Sequence, residues 1–210
     1  MSYLSKSPLK FDNGITIEFD TLDDGGGSIQ FKDFLDYIKS TGKKYKHCLE
    51  WCSGLGAIGY SLLDAGIVET VTFMDIYRPS ITNIFRNAHY NKVEKKIQAY
   101  NLDAISKLPN HLKFDLVVGN PPHSFAGNWE SPHLQRMIVD TNWDIHREFF
   151  SNIGSYLEPN SDIILSETNV MNDQIEIAEN CNLKFMKAVP AQELSKFGAP
   201  FASLHIYQNQ

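Results

Sequence analysis

Residues 50–59 have the sequence EWCSGLGAIG, in which an acidic residue closes an apolar run and glycines precede a helical pattern. The apolar run, residues 47–51, predicts a core strand, and residues 57–65 predict the helix that follows it. Glycines let such a turn approach a ligand closely, and the free N–H groups that begin the helix attract the polar part of that ligand. Close packing of helix on strand also requires glycine, so the turn alone leaves both a binding role and a packing role open.

Apolar runs alternate with helical patterns along the rest of the chain. This alternation predicts an α/β fold, with a mostly parallel sheet covered by helices on both faces. We expect further strands at about 15–19, 70–75, 97–100, 114–119, 162–166, 183–189 and 201–207. Helices are expected near 28, from 79, over 143–157 and over 174–180. We expect one core domain, residues 45–210, with an N-terminal extension, residues 1–44, packed on it.

Composition limits the classes of function. The 210 residues are 42% hydrophobic and 21% charged, which excludes wholesale disorder, and the net charge of -6 disfavours a large nucleic-acid footprint. The cysteines, Cys48, Cys52 and Cys181, lack the paired spacing of metal sites or disulfides, so we expect reduced thiols. The first ten residues contain no apolar signal core, and no run approaches the ~18 apolar residues that span a bilayer. We therefore expect a cytoplasmic protein without a membrane anchor.

Residues 115–123, DLVVGNPPH, end a second buried apolar run in a proline pair. The prolines stiffen the loop and hold Asn120 extended at the ligand-binding edge of the sheet. There its carbonyl oxygens can accept N–H bonds from a substrate amino group, orient the nitrogen lone pair and stabilise developing positive charge. A plain turn explains the loop alone equally well. Its position after the glycine-rich turn favours the catalytic interpretation.

Two acidic residues follow the intervening strands. Asp75 ends the second core strand, about 25 residues after Glu50, where an acid commonly holds ribose hydroxyls. That role suits a dinucleotide and S-adenosylmethionine equally, so Asp75 does not choose between them. Asp103 follows the third strand, where it can accept from an adenine amino group or cap a helix.

These motifs together resemble the class I S-adenosylmethionine-dependent methyltransferases over roughly residues 45–166. The likeness is to the subgroup with an Asn/Asp-Pro-Pro-aromatic loop, which includes release-factor glutamine methyltransferases and nucleobase amino-methyltransferases. The resemblance implies a Rossmann-like fold, a seven-stranded mostly parallel sheet with an antiparallel last strand, and makes residues 45–210 the catalytic domain. It implies a catalytic loop of Asn120, Pro121, Pro122 and His123. It also implies a cofactor site made of Glu50, Cys52, Ser53, Gly54, Gly56, Asp75, Ile76, Leu102, Asp103 and Asn120.

The sequence departs from that pattern at two positions. Cys52 replaces the first glycine of the usual turn and adds a side chain near the methionine end of the cofactor. His123 stands where the subgroup has Tyr, Phe or Trp; it can stack on a planar acceptor and can also form a hydrogen bond. A planar, partly polar nitrogen acceptor is therefore expected, and an oxygen acceptor stays open.

An insert at about 123–142 carries aromatic and histidine residues at the ligand edge of the sheet. We expect Trp129 and His133 to contact the substrate, although Trp129 can equally anchor the loop on the core. The histidines follow no compact ligand spacing, so no metal is expected. Gly25, Gly26 and Gly27 allow either close backbone approach to the cofactor or a flexible turn.

Three functions compete at this stage. The leading hypothesis is methyl transfer to a protein side chain, RNA base or small molecule. The second hypothesis is a nicotinamide-dependent oxidoreductase. It assigns no role to the Asn-Pro-Pro-His loop, and the sequence shows no acid suited to relay a proton during hydride transfer. A methyltransferase-like binding subunit without chemistry is consistent with the departures at Cys52 and His123.

Overall fold

The computed structural model describes residues 6–20, 24, 26–123, 135, 137–168, 173–196 and 202–209. The N-terminal residues form an antiparallel hairpin of β1 (Lys6–Lys10) and β2 (Thr16–Asp20). The remaining elements, in chain order, are α1 (Gly27–Thr41), β3 (Tyr45–Trp51), α2 (Ala57–Asp64), β4 (Val68–Asp75), α3 (Arg78–Tyr90), β5 (Ile97–Asn101), β6 (Phe114–Gly119), α4 (Asp144–Ile153), β7 (Leu157–Thr168), α5 (Asp173–Glu179), β8 (Leu183–Pro190), α6 (Gln192–Lys196) and β9 (Ala202–Asn209).

Strands β3 to β9 form one seven-stranded sheet in the order β5-β4-β3-β6-β7-β9-β8. Neighbouring strands from β5 to β7 pair in parallel, and β9 runs antiparallel to both β7 and β8. The predicted fold class is thereby confirmed. Strand order reverses between β3 and β6, where an open α/β sheet leaves a crevice beyond its carboxyl ends.

The central strands are buried on both faces, so their side chains alternate between two apolar layers. On β6, Leu116 and Val118 join the layer beneath α1, α2 and α3, whereas Val117 joins the layer beneath α4 and α5. This two-sided burial explains why residues 114–119 form a continuous apolar run. The strand predicted there matches β6 at both ends.

The N-terminal hairpin and α1 pack against the first of these layers. Ile17 and Phe34 are fully buried in it. The backbone N–H group of Glu18 donates to the side chain of Asn87 on α3, and that of Thr16 donates to the side chain of Asn91, which directly follows α3. The sequence did not predict β1, whose five residues include two lysines and a proline. The boundary of the extension at residue 44 stays a prediction.

The helix predicted over 143–157 is shorter in the structure. Helix α4 ends at Ile153, a 3-10 turn covers Gly154–Tyr156, and Leu157 already pairs with Phe114 on β6. The Tyr156 hydroxyl donates to the carbonyl of Leu108, which fixes the tighter turn. Pairing with the sheet therefore overrides the helical pattern at this end. Among the described residues, no helix is long and apolar enough to span a bilayer.

Candidate cofactor and methyl-acceptor site

A cavity of about 310 Å³ opens at the carboxyl ends of β3, β4, β5 and β6. Its volume lies at the lower end of the range of small-molecule sites. It is lined by Gly27, Glu50, Trp51, Cys52, Ser53, Gly54, Leu55, Ile58, Met74, Asp75, Ile76, Tyr77, Leu102, Asp103, Asn120, Pro122, Met137, Val139 and Ile145. The cavity therefore lies at the reversal of strand order, where the fold favours a ligand.

The turn after β3 is built around left-handed backbone conformations. Cys52, Gly54 and Gly56 have φ values of 52°, 47° and 79°. A Cβ on Gly56 would lie 3.0 Å from the Phe73 ring, so both its conformation and its packing require glycine. Cys52 and Gly54 line the cavity, whereas Gly56 lies behind it at the start of α2.

Glu50 is buried at the base of this turn, with 2% of its surface exposed. Its Oε2 accepts the N–H of Gly59 at 2.6 Å, in the first turn of α2. Burial raises the pKa of Glu50 to about 8, although hydrogen bonds from the Gly59 and Ile58 backbones oppose the rise. A buried acid of this kind becomes ionised most readily when a cation approaches it.

Asp75 braces the turn from the neighbouring strand. Its Oδ2 accepts the N–H of Gly54 at 2.7 Å, and its Oδ1 accepts the N–H of Tyr77 at 2.7 Å. The Leu102 N–H in turn donates to the carbonyl of Asp75. The ends of β3, β4 and β5 are thereby tied into one rim. Asp103 lies on this rim and pairs with Lys107, which lowers the pKa of its carboxyl.

The Asn120–His123 loop forms the other side of the cavity. Asn120 and Pro122 line it, and Pro121 and His123 do not belong to its lining within the described chain. The backbone N–H of His123 donates to the carbonyl of Ile138, and its Nδ1 lies 3.0 Å from the carbonyl oxygen of Pro121. The loop is thus fixed to the returning end of the insert.

The sequence-predicted residues meet here with few exceptions. The cavity collects Glu50, Cys52, Ser53, Gly54, Asp75, Ile76, Leu102, Asp103, Asn120 and Pro122. Trp129 and His133 lie outside the described residues, so their predicted contact with substrate stays a prediction. Within the described ranges no group of three or more His, Cys, Asp or Glu is arranged to hold a metal ion.

Sequence reasoning missed the apolar wall formed by Met137, Val139 and Ile145. These residues carry no motif, and only the folded chain brings them to the cavity. Trp51, Leu55, Met74 and Tyr77 were also missed, although each adjoins a predicted site residue and proximity to the motifs could have indicated them. Gly27 reaches the cavity at the start of α1, which favours the close-approach interpretation of the glycine triplet.

The residues of the cavity suit S-adenosylmethionine. The Ser53 hydroxyl is buried beside the cavity and has no hydrogen-bond partner in the described part of the chain, so a ligand can supply one. The Glu50 carboxyl offers an acidic partner for an ammonium group. Ile76, 61% exposed at the rim, offers an apolar surface for a flat ring.

Comparison with known proteins agrees with this geometry. The family model of the methyltransferase small domain matches residues 32–148, more than half of the chain. The release factor glutamine methyltransferase of Leptospira interrogans is 34% identical over 79 residues, which cover 37% of this chain and 28% of that protein. The bifunctional methyltransferase of Rickettsia typhi is 29% identical over 141 residues, 62% of this chain and 26% of that protein. The chain thus spans about a quarter of the length of these curated relatives.

Among solved structures, the 16S rRNA N2 G1207 methyltransferase of T. thermophilus, in complex with AdoMet and guanosine, superposes with a TM-score of 0.67. The match covers 98% of this chain and 50% of that one at 16% sequence identity, so it shows the fold. That fold is the Rossmann-like fold of S-adenosylmethionine-dependent methyltransferases. By the extent of the family match, the chain belongs to the methyltransferase small domain family.

Proposed function

We propose that the protein is an S-adenosylmethionine-dependent methyltransferase that acts on a nitrogen atom, with Asn120 orienting the acceptor. The observation that carries the proposal is the position of Asn120. It lines the same cavity as the glycine-rich turn, from the opposite side of the strand reversal. A methyl donor and its acceptor must meet in such a crevice.

Each side of the cavity has its own task in this proposal. Glu50, Ser53 and Gly54 would hold the amino-acid part of the cofactor, Asp75 its ribose, and Ile76, Leu102 and Asp103 its adenine. Bound S-adenosylmethionine supplies an electrophilic methyl group on a sulfonium. The chain excludes water from the reacting atoms with the apolar side chains of Met137, Val139 and Ile145.

Asn120 acts on the acceptor by accepting its N–H groups. Hydrogen bonds from the nitrogen to the carbonyl oxygens of Asn120 would direct the lone pair into the cavity and stabilise positive charge that develops on the nitrogen. No strong base is needed before attack. The nitrogen assignment is supported by the names of two similar proteins, one specifying glutamine and the other N2 of a guanine. In both groups the nitrogen is conjugated and planar.

The acceptor classes that remain are a protein side chain, a nucleobase and a small molecule. A screen with tritiated S-adenosylmethionine against protein, RNA, DNA and metabolite fractions identifies the class. We expect Asn120→Ala to lower transfer to the identified acceptor by about 100-fold or more, because a lost transition-state hydrogen bond has this magnitude. Adenosylhomocysteine affinity, measured by calorimetry, should stay within about 3-fold, since Asn120 faces the acceptor.

Asn110→Ala is the matched control. Asn110 is exposed in the loop before β6, at the opposite end of the strand from Asn120. The Asn110→Ala protein should transfer methyl groups at the wild-type rate. Wild-type transfer by Asn120→Ala would contradict the mechanism. Adenosylhomocysteine binding without transfer to any fraction would instead favour the non-catalytic subunit.

A further inference from the structure

A histidine lies buried between two carboxylates next to the cavity. The Nδ1 of His146 is 2.6 Å from Asp140 Oδ2, and its Nε2 is 3.0 Å from Glu167 Oε1. The three side chains are 0%, 1% and 0% exposed for His146, Asp140 and Glu167. An imidazole can donate from both nitrogens only in its protonated form. Between two ionised carboxylates, the ring therefore satisfies both contacts only as an imidazolium.

The surroundings of His146 support that protonation state. Burial alone would lower its pKa, but the charge of Glu167 and hydrogen bonds to Asp140 and Glu167 raise it to about 9. The indole rings of Trp51 and Trp143 stand edge-on to the imidazole, with ring centroids 5.7 and 5.0 Å away. Among the described residues, the other titratable groups around this cluster include Cys52, Asp173, His205 and Tyr207.

Asp140 connects this cluster to the wall of the cavity. Its Oδ1 accepts the N–H of Ile145 at 2.9 Å and its Oδ2 accepts that of His146 at 3.1 Å, so Asp140 binds two free N–H groups in the first turn of α4. Val139 and Ile145, which adjoin Asp140 and His146 in sequence, line the cavity. In the segment before Asp140, the carbonyl of Ile138 accepts a hydrogen bond from the backbone N–H of His123. One short segment therefore contacts both the cofactor cavity and the catalytic loop.

Glu167 anchors the other end of the cluster in the sheet. Gly119 on β6 pairs with Leu165 on β7, so Glu167 lies level with Pro121, where the catalytic loop leaves the sheet. Its Oε2 is buried and has no hydrogen-bond partner among the described residues. An unpaired buried carboxylate oxygen costs free energy, and apolar packing would join helix and sheet at least as stably. Stability alone therefore does not account for these residues.

We propose that Asp140, His146 and Glu167 are positioning residues, a charged clamp that fixes the Met137–Val139 wall and the Asn120–His123 loop against β7. The clamp rests on the proposed function, since it shapes the cavity assigned to the cofactor. It holds while His146 carries its proton and loosens when that proton is lost. Adenosylhomocysteine affinity then falls at high pH, at the pH where His146 titrates.

Two measurements on the full chain test the clamp. Nitrogen-15 NMR of histidine side chains should show both ring nitrogens of His146 protonated at pH 7.5 and titrating near pH 9. Calorimetry with adenosylhomocysteine from pH 6.5 to 10 should show wild-type affinity falling over the same interval. In Glu167→Gln, which removes one of the two charges, the fall should begin at least one pH unit lower, with binding at least about 3-fold weaker than wild type at pH 8.5.

Asp162→Asn is the control. Asp162 is also a buried acid on β7, but it lies at the opposite end of the sheet, where it bonds to Lys43 and Tyr45. Its profile should match the wild type, and the ligand's own amino group titrates identically in all three proteins.

A neutral His146 at pH 7.5, or the same profile in Glu167→Gln and wild type, would overturn the clamp. If Glu167→Gln does not fold, the NMR titration of His146 decides alone, and a neutral ring at pH 7.5 overturns the clamp. Failure to bind adenosylhomocysteine at any pH refutes the proposed function instead.

Discussion

Cys52 holds a left-handed backbone conformation, with a φ of 52°, in a turn where glycine is the usual residue. Such a conformation costs a residue with a Cβ about 1 kcal/mol. Burial and the nearby charges of Asp75, Asp140 and Glu167 raise the pKa of its thiol, so the side chain is neutral and adds bulk to the cavity without charge.

We expect Cys52→Gly to stabilise the fold by up to about 1 kcal/mol, because relief of the backbone strain exceeds the opposing effect of the greater conformational freedom that glycine gives the unfolded chain. Urea denaturation measures the change. Lys92→Gly provides the matched control, since Lys92 is exposed and has a φ of 59° but lies away from the cavity. A loss of more than 1 kcal/mol in Cys52→Gly alone would show that the thiol contributes packing that the strain argument omits.

Glu50 links the stability of the ligand-free protein to pH. Its pKa of about 8 in the folded state lies above the ordinary value near 4.5. A raised carboxyl pKa favours the folded state fully below about 4.5, and this contribution is lost as pH rises through 8. In that window each pH unit removes at most about 1.4 kcal/mol.

Glu50→Gln should therefore flatten the dependence of the unfolding free energy on pH between about 5 and 8. Denaturant titrations at pH 5, 6.5 and 8 provide the measurement, and Glu69→Gln, an exposed acid on β4, should retain the wild-type slope. Equal slopes in Glu50→Gln and wild type would mean that the Glu50 carboxyl is already ionised at pH 5.

At the scale of elements, α2 packs on the sheet so closely that Gly59 has no room for a side chain. A Cβ there would lie 2.7 Å from Glu50 Oε2 and 2.8 Å from side-chain atoms of Phe73 and Val71. The hydrogen bond from the Gly59 N–H to the Glu50 carboxyl depends on this close approach of α2 to the sheet. The position of Glu50 and the absence of a side chain at Gly59 are therefore coupled.

Gly59→Ala should destabilise the protein by about 2 kcal/mol, the usual magnitude of overpacking, and weaken adenosylhomocysteine binding because Glu50 is displaced. Thermal unfolding and calorimetry check both effects. In Gly154→Ala the added Cβ meets no atom within 4 Å, and that variant should unfold at the wild-type temperature or slightly above. Equal stability of the two variants would contradict the close packing of α2.

Prediction from sequence succeeded where the secondary structure of a segment follows from that segment's own residues. Strand β6 is buried on both faces and therefore shows as a continuous apolar run, and Pro79 correctly indicated the start of α3. Prediction failed where the structure of a segment depends on contacts with residues distant in sequence. Leu157 has a helical pattern yet pairs with Phe114, and Asp140, His146 and Glu167 meet only after folding.

At the scale of the whole molecule, the sheet order decides where the site lies. The site residues that follow Glu50 in the sequence, namely Asp75, Leu102 and Asn120, lie 25 to 70 residues after it. Parallel pairing of the four strands brings their carboxyl ends, and with them these residues, to one edge of the sheet. The motifs could therefore be predicted to converge once the fold class was known. The cavity wall at Met137, Val139 and Ile145 could not, because two of these residues come from an insert without periodic pattern and Ile145 comes from the start of the helix that follows it.

The central claim is that this edge of the sheet binds S-adenosylmethionine. Calorimetric titration of the wild-type chain with adenosylhomocysteine, beside a parallel titration with NAD, tests it most directly. We predict one adenosylhomocysteine per chain with micromolar affinity, at least 10-fold weaker binding in Asp75→Ala, and no heat with NAD. Binding of NAD and not of adenosylhomocysteine would contradict the cofactor assignment and with it the methyl-transfer mechanism.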